Sequence, residues 1–244
     1  MDIRVEENPA AVVAEMLGEA ASAGGHIVLT GGSTPKLAYE MASRADVDWS
    51  RATLWFSDER CVPAEDGLSN FRMANDSLIG RLNKDQRPTV MRMEGEIGPE
   101  AGSASYEASV REHLGGEPRW DLLLLGLGPD SHTASLFPGK PEVEVDDRLV
   151  VGVPDAGMEP QVPRISLTLP AINAARRVVF LVTGESKREA VERAFGNPAD
   201  LSSPAARVRP EDGELVVYLD PAAAARTTHR GPQLASPDGE RGPA

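Results

Sequence analysis

The chain has 244 residues, of which 41% are hydrophobic and 5% aromatic, and its formal net charge is −13. Such an acidic surplus disfavours nucleic acid and anionic membranes as partners. No apolar run approaches the roughly 18 residues that a membrane-spanning helix needs, so none is expected.

The length suits a single α/β domain. The opening MDIRVEENPA carries acids where a secretory signal would need a basic start and an apolar middle, so a cytoplasmic protein is expected. One cysteine, Cys61, excludes an internal disulfide framework and a cysteine-based zinc site; it reads as a small half-buried side chain.

In chain order, Asn8 followed by Pro9 predicts a helix start, with Asn8 as the cap. Val12, Val13, Met16, Leu17 and Ala20 then share one face, and Gly24-Gly25 ends the helix. A short buried strand is predicted over 27–30, and further strands over 53–57, 122–125, 149–153, 165–168, 178–182 and 215–219. Helical segments fall around 35–44, 69–82, 99–114, 170–175 and 185–195. Several strands are unbroken apolar runs, the pattern of a parallel sheet covered on both faces. Their alternation with helices predicts a three-layer, Rossmann-like fold with a mostly parallel sheet. The folded domain is assigned to residues 1–225. The polar, Gly- and Pro-rich stretch 226–244, with His229, reads as a disordered tail.

In sheets of this kind, ligands bind beyond the carboxyl ends of the strands. Three such places are rich in chemistry. After the strand at 27–30 come Gly31, Gly32, Ser33, Thr34 and Pro35. Glycines let backbone N–H groups approach a ligand, and a helix N-terminus adds partial positive charge, so this loop suits a phosphate. A tight strand-to-helix turn would look the same. After the strand at 53–57 come Asp58, Glu59 and Arg60, three charges in a row. They form either a solvated loop or a polar cleft in which Asp58 orients a partner and Arg60 offers a fork of donors to an anion or carbonyl oxygen.

The third place follows the strand at 122–125, where a glycine-rich turn delivers Asp130 and His132. Residues two apart in an extended loop point the same way, so the carboxylate could orient the imidazole as a general base. His26 and His113 lack this setting and read as surface or packing residues.

These segments, in this order, resemble the 6-phosphogluconolactonase family, which is akin to glucosamine-6-phosphate deaminases. The matching pieces are LTGGSTP at 29–35, DERCVP at 58–63 with SN at 69–70, LGLGPDSHTASLFPG at 125–139, RISLTLPAIN at 164–173 and GESK at 184–187. One departure stands out: Ser131 replaces the glycine usual between Asp and His, a strained choice if φ is positive there.

The resemblance implies a Rossmann-like α/β fold and hydrolysis of 6-phospho-D-glucono-1,5-lactone, the second step of the oxidative pentose phosphate pathway. On that reading His132 activates water and Asp130 orients it. Arg60, set by Asp58, stabilises the carbonyl or holds the phosphate. Phosphate binding draws on Gly31, Gly32, Ser33 and Thr34 with help from Arg176 and Lys187, and Arg164 is a weaker candidate. No metal and no cofactor are expected, since no close His/Cys/acid cluster is present in the sequence. The partner is a small sugar phosphate, and the protein a monomer or homodimer.

Two rivals are weighed. The deaminase branch carries an acid soon after the histidine, whereas residues 133–139 here contain none and the next acid is Glu142. A non-enzymatic sugar-phosphate sensor would need a DNA-binding module, and only one helix precedes the first glycine loop.

Overall fold

Ten strands and seven α-helices make up the computed structural model, which describes residues 1–115 and 118–224. The expected tail at 226–244, His229 included, lies outside the described residues. The strands are β1 (Asp2–Val5), β2 (His26–Leu29), β3 (Thr53–Phe56), β4 (Asp58–Arg60), β5 (Thr89–Val90), β6 (Leu122–Leu125), β7 (Val150–Val153), β8 (Arg164–Leu167), β9 (Arg177–Val182) and β10 (Glu214–Leu219). The helices are α1 (Pro9–Ser22), α2 (Ser33–Ala42), α3 (Asn70–Ser77), α4 (Pro99–Leu114), α5 (Leu169–Asn173), α6 (Arg188–Phe195) and α7 (Pro221–Ala224).

Seven strands form one sheet in the order β1-β10-β9-β6-β2-β3-β5. Every pairing in it is parallel. Successive side chains alternate between two cores: Leu122 and Leu124 join one cluster, Leu123 and Leu125 the other, and β9 and β10 split likewise. With both faces covered, these strands are apolar without polar alternation. Each buried Leu, Val or Phe adds roughly 1.5–3 kcal/mol relative to leaving it in water.

Asn8 accepts a hydrogen bond from the Ala11 backbone N–H at 3.2 Å and Pro9 opens α1, as the sequence predicts. The strands expected at 149–153 and 165–168 do not join the main sheet. As β7 and β8 they pair antiparallel with each other, and β8 pairs antiparallel with β4, forming a separate three-stranded sheet. This small sheet packs against α4, and its strands β7 and β8 are buried throughout and join the core cluster that holds Leu123 and Leu125. Apolar runs identify these segments as strands but do not say which sheet they join.

The chain order reverses between β2 and β6, which are direct neighbours. Strands β2, β3 and β5 run outward on one side, and β6, β9 and β10 on the other. The loops after β2 and β6 therefore diverge from adjacent strand ends and leave a crevice between them, the usual ligand position in such sheets.

Candidate functional site

A cleft of about 260 Å³ opens at that switch point. Gly31 and Gly32 from the β2 loop, Asp58 and Arg60 from β4, and Asn70 from α3 line one side. The β6 loop supplies Gly128 and His132, the small sheet Arg164, and the start of α6 Lys187. Met158 and Glu159 reach in from the β7–β8 loop.

The start of each loop is anchored. Tyr39, fully buried in α2, accepts from the Thr30 N–H and donates to the Thr30 carbonyl, both at 2.9 Å. Tyr106 from α4 does the same at Phe56, at 2.8 and 3.3 Å. These contacts satisfy backbone groups where the sheet ladder ends.

At the centre, His132 Nδ1 lies 2.6 Å from Asp130 Oδ1, and the His132 backbone N–H also donates to that oxygen at 3.1 Å. Burial works against charge on Asp130, but these hydrogen bonds and the nearby imidazole hold its carboxyl below the ordinary range. The carboxylate accepts, so Nδ1 is the protonated nitrogen and Nε2 is left basic. The ring packs against Phe137, with centroids 4.6 Å apart, and the Arg164 guanidinium sits over the same phenyl ring. Gly128 makes room for the pair: a Cβ there would lie 2.0 Å from His132 Nδ1 and 2.7 Å from Asp130 Oδ1.

Ser131 does adopt the left-handed conformation, with φ of 69°, and Ala134 follows with 48°. Such angles cost a non-glycine residue about 1 kcal/mol or more, so the surroundings must hold the loop in place.

The sequence reading has Asp58 set Arg60. Instead its carboxylate, 5% exposed, accepts from Ser135 Oγ at 2.6 Å, and from Ser57 Oγ and Asn70 Nδ2 at 3.2 Å each. Ser135 belongs to the His132 loop. Asn70 presses on the glycine loop so closely that a Cβ on Gly31 would fall 2.1 Å from its Oδ1. Asp58 thus ties the two ligand loops together; it and Arg60, two apart on β4, face the same cleft, but the hydrogen bonds of its carboxylate go to Ser135, Ser57 and Asn70.

Arg60 is held by its own donation to the Leu68 carbonyl at 2.7 Å, which leaves its Nε buried and unpartnered. Arg164, 3% exposed, donates to the carbonyls of Met158 and Pro160 at 3.1 Å and likewise has a buried Nε without a partner. Burial draws the Arg164 guanidinium below its ordinary value, with Asp58 opposing and Arg60 assisting. Lys187 donates to the Leu127 carbonyl at 2.7 Å, and burial lowers its pKa against the pull of Asp130. Several cationic donors therefore converge on one small space with bonding capacity left over, an arrangement suited to an anion.

Three expected phosphate contacts fall elsewhere. Arg176 sits just before β9, at the opposite end of the sheet, where it pairs with Asp121 at 3.3 Å. Ser33 and Thr34 begin α2 but border a neighbouring hollow, and Thr34 Oγ1 is bonded to Thr183 Oγ1 at 2.8 Å. Of that loop, only Gly31 and Gly32 line the cleft.

Sequence reasoning gives Glu59 no role of its own. It is 3% exposed and accepts from the N–H groups of Arg60, Asn70 and Phe71 and from Ser69 Oγ, at 2.7–3.0 Å. Burial raises its carboxyl above the ordinary range, against the pull of those four donors. It caps α3 from outside the helix and so fixes Asn70. Among the described residues, no group of three or more His, Cys, Asp or Glu side chains is placed to hold a metal ion, and no helix is long and apolar enough to cross a membrane.

The profile of glucosamine-6-phosphate isomerases/6-phosphogluconolactonase matches residues 4–217. The 6-phosphogluconolactonase of Streptomyces coelicolor is 38% identical over 240 residues, covering 92% of this chain and 91% of that one. The human 6-phosphogluconolactonase is 36% identical over 203 residues, covering 80% and 78%. The solved structure of 6-phosphogluconolactonase from Trypanosoma cruzi superposes with a TM-score of 0.81 at 28% identity, covering 93% of this chain and 97% of that one. A monomeric glucosamine-6-phosphate deaminase shares the fold, with a TM-score of 0.78 at 19% identity and coverage of 92% and 99%. From the profile match and from relatives this similar over most of their length, the chain belongs to the glucosamine-6-phosphate isomerase/6-phosphogluconolactonase family.

Proposed function

We propose that this protein hydrolyses 6-phospho-D-glucono-1,5-lactone to 6-phospho-D-gluconate, without a cofactor, as a cytoplasmic enzyme of the oxidative pentose phosphate pathway. The observation that carries the reading is the Asp130–His132 pair facing a cleft lined by the cationic side chains of Arg60, Arg164 and Lys187. A lactone is an activated acyl compound, so a positioned water, a base and charge stabilisation suffice.

Nε2 of His132 takes a proton from water as its oxygen bonds to the lactone carbonyl carbon. Asp130 stabilises the imidazolium so formed. The tetrahedral intermediate then collapses, the ring C–O bond breaks, and the imidazolium returns the proton to the departing ring oxygen. Gly31, Gly32 and Lys187 supply phosphate donors, and Arg60 and Arg164 serve the remaining anionic oxygens. Asp58 positions both loops and does not itself touch substrate. The deaminase alternative loses ground because residues 133–139 offer no carboxylate beside the histidine.

The test compares hydrolysis of freshly prepared 6-phosphogluconolactone, corrected for spontaneous opening, with ammonia release from glucosamine 6-phosphate. Acceleration of the first and none of the second is expected. Ammonia release with no lactone acceleration would overturn the assignment.

A further inference from the structure

The His132 loop contains the two non-glycine residues with positive φ among the described residues, and His132 lies between them. On the far side, Ala134 leads directly into Ser135, which Asp58 and Ser166 hold. On the near side, the Ser131 carbonyl accepts from Ser203 Oγ and from the Ala205 backbone N–H, both at 3.3 Å. Arg193 Nη1 donates to the preceding carbonyl of Asp130 at 3.4 Å. Ser131 itself is completely buried and Ser203 is 1% exposed, so no water competes at either.

Those three donors come from α6 (Arg193), from the short turn Pro204–Arg207 (Ala205) and from Ser203 at the head of that turn, none of which contributes His132, Asp130 or the glycine loop. Their common target is the peptide on either side of the one residue that must remain left-handed if Asp130 Oδ1 is to meet both the ring and the backbone N–H of His132. A serine at 131 resists that conformation, whereas glycine would take it freely.

We infer that Ser203 is a positioning residue for the lactonase reaction, holding the Ser131 peptide in its left-handed turn so that Asp130 meets His132. The inference rests on the function proposed above. Ser203 acts on kcat through the geometry of the base, and does not itself line the cleft. Its importance also depends on which residue occupies position 131.

The experiment is a cycle of Ser203→Ala and Ser131→Gly, with kcat and KM measured on 6-phosphogluconolactone. Alongside, proton NMR follows the downfield Nδ1–H signal of His132 without substrate. With Ser131 in place, Ser203→Ala is expected to lower kcat about fivefold, the size of one lost hydrogen bond. KM should stay within about twofold, and the Nδ1–H signal should broaden as its exchange with water quickens. In the Ser131→Gly background the same change should alter kcat less than about twofold, and the signal should remain sharp. Ser203→Cys, a weaker donor of similar size, should fall between serine and alanine and carries the test if the alanine variant misfolds. Equal losses in both backgrounds, or no loss in either, would overturn the inference. Absence of lactonase activity in the unmodified protein would overturn the function, while the NMR signal would still report on the brace.

Discussion

His132 and Asp130 are two residues apart, and their contact depends on the shape of the chain between them as much as on either side chain. The Asp130 carboxylate, held below the ordinary carboxylate range by its hydrogen bonds to His132, fixes the Nδ1–H tautomer. His132→Ala is expected to lower kcat by roughly 10²–10⁴, the usual share of a general base, once spontaneous hydrolysis is subtracted. A variant within threefold of the unmodified protein would remove His132 from the chemistry. Asp130→Asn should keep much of the loop geometry while losing the charge that favours the imidazolium, and so should lie between the two.

At the scale of the element, the site is a meeting of loops from different strands, and each loop has a separable task. Lys187→Ala removes a donor at the start of α6. Gly31→Ala would thrust a methyl group into Asn70 and displace the glycine loop. Both should raise KM for the phosphorylated lactone, with some loss of kcat because remote binding energy also positions the reacting carbon. Glucono-1,5-lactone, which lacks the phosphate, should be a poor substrate almost indifferent to either change. Equal damage to both substrates would mean that the glycine loop is purely structural.

The same loops show what can be read without coordinates. Strands β2, β6, β9 and β10 are legible because burial on both faces leaves only apolar residues in most of their positions. Strand β4 is not, because Asp58, Glu59 and Arg60 look like solvated charges until Ser135, Asn70 and the α3 N-terminus supply their partners. Arg176 looks like a phosphate ligand because a charge flanking a strand is visible in sequence, whereas the end of the sheet it occupies is set by the strand's direction. Asp130 and His132 are legible as a pair, and the braces that hold them, more than sixty residues further along, are not.

For the whole molecule, acid stability depends partly on a histidine far from the cleft. The buried Trp55 indole donates to His26 Nδ1 at 3.1 Å, so that nitrogen must be unprotonated. Burial lowers the pKa of His26, with Asp121 opposing the shift and His113 adding to it. The unfolded chain, with an ordinary histidine pKa near 6.5, binds this proton more readily than the folded one. The associated stability is therefore complete above about pH 6.5 and declines as pH falls toward the lowered folded value. Thermal melting between pH 7.5 and 5 should show Tm falling through that window, and His26→Gln, which retains an acceptor for Trp55, should flatten the decline. An unchanged slope in the variant would assign the acid sensitivity elsewhere.

The first strand has a consequence for association. β1 pairs with β10 along its whole length, residue for residue from Asp2 opposite Val216 to Val5 opposite Leu219, and thereby brings residues 2–5 against the last strand among the described residues. It is a poor strand by composition, with Asp2 and Arg4 exposed and joined in an ion pair. Those charges suit it to be outermost, since a charged edge discourages another sheet from adding to it. Removing residues 1–5 would strip this guard and present β10, whose Leu215, Val216, Val217, Tyr218 and Leu219 are all buried, as a flat apolar rim with unpaired backbone groups. The shortened protein should keep its cleft yet self-associate as its concentration rises, which light scattering would register; a truncated chain that stays monodisperse would show that β10 needs no such cover.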